Sequence, residues 1–233
     1  MNAKYRGRRM EGLSPYVRSL DDLRKAMLKL KNKTLEDAVH SAAEASITET
    51  LGDPDYFGPL LKALPHLKIE EGWRLDANFG CAGWGMRLVF FATDGRKRED
   101  FVRHVETDGS AESVWELRLL CYCVRVFYLF DHAIYDDLCI VTSLRRMNQD
   151  AVRIGAGMDD VLKKIKQEDR RRLEMWDMAP SVEVSGGEAT IRYCTFSDFG
   201  GFLKIREMVR VRPYEIIKGD VEDRVPYDCG IRV

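Results

Sequence analysis

The segment SVWELRLLCYCVRVFYLFDHAIYDDLCIVTSLRRM, residues 113–147, decides how the rest of the chain is read. Between Leu117 and Phe130 the only fully charged side chains are Arg118 and Arg125. So dense an apolar run must lie at the centre of the fold. Its β-branched and aromatic content favours a strand by propensity, but propensity is a weak guide in a buried segment, and the run is long for a strand. The polar positions agree with a helix. Arg118, Arg125 and His132 recur every seven residues with Asp136 four further on, which makes one stripe along a helix and would alternate faces on a strand. Ser110 or Ser113 can cap the start, and Glu116 follows Ser113 at capping-box spacing. The pattern predicts a helix over about 113–134, bent near Asp131 to Asp137 before the segment runs on to Met147. A fourteen-residue run broken by two arginines is too short to span a bilayer.

Working outward from that helix, the N-terminal side reads as a helical layer. Ser14-Pro15 starts a helix with Leu20, Leu23, Met27 and Leu30 on its apolar face, Thr34 caps a second, and a short third carries Tyr56, Phe57, Leu60 and Leu61. From Leu67 the period changes to two. Trp73 to Phe79 and Met86 to Thr93 predict a hairpin joined by a wide glycine-rich turn, Gly80 to Gly85. A short helix over Glu99 to Glu106 leads into the central one. On the C-terminal side an amphipathic helix begins at Asp159. A meander follows: 182–185, 189–196, 202–212 and a short strand from Tyr214 to Lys218. Runs of strands separated by runs of helices imply an α+β fold, in which an N-terminal helical layer and the central helix pack on one face of a mainly antiparallel sheet.

Residues 1–12 read as a basic mobile arm, and 13–233 as a single α+β domain with a sub-boundary near 155–158, where Gly155 and Gly157 interrupt the pattern. The 233 residues are 45% hydrophobic and 32% charged with net charge −1, so nothing global points to a polyanion. The basic N-terminus lacks the apolar core of a signal peptide. That makes a cytoplasmic protein the expectation, with its six cysteines as reduced thiols.

Three constellations can carry chemistry. Arg125, Tyr128, His132 and Asp136 lie at three- and four-residue steps on one helix face, where Arg125 would anchor an anion and His132, tuned by Asp131 or Asp136, would act as acid or base. In the strand Phe202 to Arg212, alternation places Lys204, Arg206, Arg210 and Arg212 on one face and Leu203, Ile205, Val209 and Val211 on the other. Such a stripe beside aromatic rings could hold the phosphates of a nucleic acid, or be a solvated face whose cations pair with acids on the neighbouring strands. Cys81, in the glycine-rich turn, is the reactive-thiol candidate, with His104 as its conceivable base. There is no CxxC or HxxxH pair and no Walker-type loop, so neither a metal nor a cofactor is expected. No reaction template is complete. The leading expectation is a binding or protein-interaction module with a protein or small-molecule partner and no membrane. Nucleic-acid or phosphate-ligand binding through 202–212 comes second, and an enzyme using His132 or Cys81 third.

Overall fold

The structure is a computed structural model that describes residues 14–42, 57–82, 85–126, 139–146, 161–197 and 200–227. Helix α1 (Pro15–Ala42) opens as expected, with Pro15 first and the Ser14 carbonyl accepting from Val17 and Arg18. It runs straight through Thr34, so the two expected N-terminal helices are one. Threonine is tolerated inside a helix, and no glycine or proline interrupts the stretch. Val17, Leu20 and Leu23 bury one face of α1, and α2 (Phe57–Lys62) adds Phe57 and Leu60 to the same core.

The central helix, α3 (Ala111–Val126), is buried nearly all round. Its cap is Ser110, whose Oγ accepts from the Ser113 amide at 3.1 Å, while the Ser113 hydroxyl donates to the Ser110 carbonyl. Glu116, expected in a capping box, instead turns inward. Trp115 is fully buried, stands edge-on to Tyr16, and donates its indole N–H to the Tyr16 carbonyl at 2.9 Å. That locks α1 to α3, and truncating the ring to alanine would cost about 3–5 kcal/mol. The continuation predicted to residue 134 lies outside the described residues.

Between α2 and α3 the chain makes β1 (Leu67–Ile69), β2 (Arg74–Ala82), β3 (Gly85–Thr93), β4 (Arg98–Glu99) and β5 (Val105–Thr107). The hairpin β2–β3 is paired from Arg74↔Thr93 through Ala82↔Gly85, so its connection is two residues long rather than the wide turn expected. Gly80 and Gly85 are absorbed into the strands. The helix expected over Glu99 to Glu106 shrinks to a 3-10 turn, Phe101–His104, set between β4 and β5.

After β6 (Cys139–Val141) the described residues form two short helices, α4 (Val161–Lys164) and α5 (Gln167–Glu174), where one was expected from Asp159, and then β7 (Ser181–Ser185), β8 (Glu188–Ser197), β9 (Gly201–Arg210) and β10 (Glu215–Val225). The meander is antiparallel, in the order β10-β9-β8, with β7 and β6 on the far side of β8. Ala189, Ile191, Tyr193 and Val209 face α1 and α3; Cys194, Phe196, Phe202 and Val225 lie in a separate smaller core with Val161, Leu173 and Met178. The N-terminal helices and α3 thus share one face of the sheet, as expected, while α4 and α5 cover part of the other. The tail after Gly219, assigned nothing from sequence, forms most of edge strand β10. Among the described residues no helix is long and apolar enough to cross a membrane.

Candidate ligand pocket beside a buried arginine

Arg118 points from α3 onto the sheet, where the alternation of β9 brings Glu207 to the same apolar face. Its Nε donates to Glu207 Oε2 at 2.5 Å and one Nη donates to Oε1 at 2.9 Å. The same nitrogen donates to the Tyr193 hydroxyl at 2.7 Å, and that hydroxyl donates to Glu207 Oε1 at 2.9 Å. The loop of bonds is closed. Burial opposes the Arg118 charge, but the Glu207 hydrogen bonds together with the attraction of Glu207, Tyr193 and Tyr214 outweigh it and hold the guanidinium proton more tightly than usual. Burial also raises the Tyr193 hydroxyl well above its ordinary value.

Next to this network lies a cavity of about 330 Å³ between β5, the 3-10 turn and the Val211–Tyr214 turn that joins β9 to β10. Its lining includes Thr107, Tyr214, Arg103, Arg212, Glu70 and Glu106. Thr107 is 5% exposed, and neither its Oγ1 nor the buried Tyr214 hydroxyl has a hydrogen-bond partner. Burial, followed by the nearby Cys121 thiol, pushes the Tyr214 hydroxyl far up, so it is a neutral donor. Arg212 reaches across to the Thr107 carbonyl and Arg103 makes no ion pair among the described residues. The acids are more committed. Glu70 holds His104 Nδ1 at 2.6 Å, His104 Nε2 lies 3.4 Å from Glu99, and the imidazole stacks on Trp73 with centroids 3.4 Å apart. Glu106 stands opposite Lys68 in the β1–β5 pair. The cavity is therefore lined by the Arg103 guanidinium, by Arg212, which already donates to the Thr107 carbonyl, and by two residues, Thr107 and Tyr214, whose hydroxyls have no partner.

Compared with models of known protein families, with curated proteins and with solved structures, the chain matches none.

A second polar cluster has the residue types of a nucleophilic site but not its geometry. The fully buried Glu116 accepts from the Ser19 hydroxyl at 3.2 Å and from the His66 amide at 2.8 Å, with His66 Nδ1 also at 2.8 Å. Serine and histidine address one carboxylate, so no base meets the hydroxyl. The cluster ties α1 and the β1 approach to α3.

The basic strand is broken up by its neighbours. Arg210 is ion-paired with Glu215, and Arg192 across from Arg206 pairs with Glu183 at 2.9 Å. Arg212 leaves the stripe because β9 ends at Arg210, two residues before the alternation predicts, and Arg212 turns to the Thr107 carbonyl instead. Lys204 and Arg206 do share one face, opposite Asp223 and Asp220 of β10. Cys81 sits within β2 opposite Met86, not in a turn, and its side chain lies outside the described residues. Arg125 is in α3 with its side chain outside them, and Tyr128, His132 and Asp136 lie outside altogether.

The sequence offers Tyr214 only as one of the aromatic rings beside the basic strand, and singles out neither Glu207 nor Thr107. Glu207 had a signal: it is the one acid on the strand face that also carries Leu203, Ile205, Val209 and Val211. A charge on an apolar face requires a counter-charge from whatever packs there. Thr107 and Tyr214 had none, because they are 107 positions apart and meet only through the fold.

Proposed function

We propose that the protein is a non-catalytic binding module that takes a small ligand bearing a carboxylate or phosphate group in the cavity between β5 and the β9–β10 turn. The observation that carries this reading is that Thr107 and Tyr214, whose buried hydroxyls have no partner, both line one cavity. Buried polar groups in folded proteins are satisfied, and an exception at a cavity wall marks a place for a ligand or its oxygen atoms. Arg103 and Arg212 supply the charge such an oxyanion needs. Binding rather than catalysis is favoured because the nearby titratable groups, Arg118 with Glu207 and His104 with Glu70, are already engaged with each other. The thiols Cys121, Cys123, Cys139 and Cys194, outside any disulfide, suit a reducing compartment such as the cytoplasm. The nucleic-acid alternative is left with Lys204 and Arg206 as its neighbouring unpaired cations, a short footprint for a phosphate backbone.

The test is thermal unfolding and titration calorimetry with inorganic phosphate, citrate and a series of small monocarboxylates. The expected outcome is a rise in melting temperature that Tyr214→Phe and Thr107→Val diminish while leaving the unliganded fold intact. Loss of one hydroxyl bonded to a charged ligand lowers affinity roughly 10–100-fold. No stabilisation by any oxyanion, or stabilisation indifferent to both substitutions, overturns the reading.

A further inference from the structure

Strand β10 is the longest strand described, an edge of the five-stranded sheet, and it carries three of the five exposed large hydrophobic residues among the described residues: Ile216, Ile217 and Val221. A long edge with exposed apolar side chains is a template for another strand. From the structure we infer that this edge pairs with β10 of a second copy of the chain, antiparallel and centred on Gly219.

The register follows from parity and charge. Residues opposite one another across an antiparallel pair share a face. Register partners place Ile216 and Val221 on the face of Val209 and Ile205, with Gly219 between them opposite Glu207. Lys218 and Asp220 stand on the other face, opposite Met208 and Arg206, joined to each other at 2.8 Å. Pairing about Gly219 sets Lys218 against Asp220 of the second copy, twice by symmetry, within the regular stretch Lys218 to Val221, and brings Ile217, at the register shift, beside Val221. The nearest alternatives that keep the faces set Asp220 against Asp220 or Lys218 against Lys218. A two-fold pair therefore has one favoured register, set by its charges. Gly219 fits this position. It has no positive φ, and a Cβ there would meet only Glu207 Cγ at 3.9 Å, an ordinary contact. Glycine is thus not required by the described fold of a single copy, whereas it suits close approach by another backbone.

One paired edge buries little area, so the dimer is a weak one. Sedimentation equilibrium of the full chain over a wide concentration range is the measurement, with circular dichroism to establish that each variant is folded. Wild type is expected to shift from monomer to dimer. Lys218→Asp alone and Asp220→Lys alone each set like charges opposite one another twice and weaken self-association roughly tenfold or more. Mixed in equal amounts, the two variants regain opposite charges at both positions and form a heterodimer. A wild type that stays monomeric at the highest concentration, or variants that dimerise alone as well as they do mixed, overturns the assignment.

Discussion

Replacing Arg118 by methionine keeps a long side chain on α3 but takes the guanidinium from Glu207, whose carboxylate is then left with the Tyr193 hydroxyl. Both partners are almost buried, with side chains 11% and 10% exposed. Solvent cannot compensate the abandoned charge. Breaking such a pair costs about 3–5 kcal/mol, most of it from the carboxylate left behind rather than from the bond itself. For a domain of this size that lowers the melting temperature by roughly 6–20 °C. The diagnostic step is the second substitution. Glu207→Gln in the Arg118→Met background removes the stranded charge while keeping an oxygen for Tyr193, and it is expected to recover about 2 kcal/mol, although Glu207→Gln alone destabilises. Urea unfolding of wild type, both single variants and the double variant measures this directly. If the double variant is as unstable as the sum of the single ones, the stranded-charge account of this network is wrong.

Two further outcomes follow from the same geometry. The His66 pKa is raised by its hydrogen bond to Glu116, with burial opposing. Its stabilising share is therefore fully present below its unfolded value, near 6.5, and fades as pH rises through the folded value. The stability gap between wild type and His66→Gln should be wider at about pH 5.5 than at about pH 8.5; a gap that widens with pH would contradict the assignment. Burial pushes the thiols of Cys121 and Cys194 up to about 12 and that of Cys123 higher still. Site-resolved labelling should find all three silent at neutral pH until the chain unfolds, and rapid modification of Cys123 in the native protein would show that its cover is incomplete.

The parts of the fold legible in the sequence were those set by local periodicity. Helix α3 was visible because Arg118 and Arg125 recur at a seven-residue spacing that keeps one face of a helix and changes faces on a strand, and the meander because Gly186-Gly187 separates alternating stretches. Boundaries depended on partners and were less legible. Thr34 has the residue type of a cap, yet α1 passes through it; the glycines from Gly80 to Gly85 suit a wide turn, yet β2 and β3 pair almost to the end. Strand β10 alternates poorly because two register shifts, at Ile216/Lys218 and Val221/Asp223, disturb its period. An irregular strand of that kind is stabilised by its neighbour, which no local pattern contains.

The candidate site divides along the same line, and Arg118 shows why. The seven-residue stripe placed polar groups at a buried helix face, and burial demands that each find a partner. Spacing along one element cannot say whether that partner is a ligand or the opposite sheet. For Arg118 the answer is Glu207 and Tyr193, which close the bonds internally. The test for a binding site is then not where polar residues cluster but where donors remain after such closures are taken out. In the described cavity walls that criterion passes over the ion-paired residues and selects Thr107 and Tyr214, two hydroxyls from turns and short strands that carry no motif. Function of this kind is written in the remainder of a hydrogen-bond tally, and the tally exists only once the chain is folded.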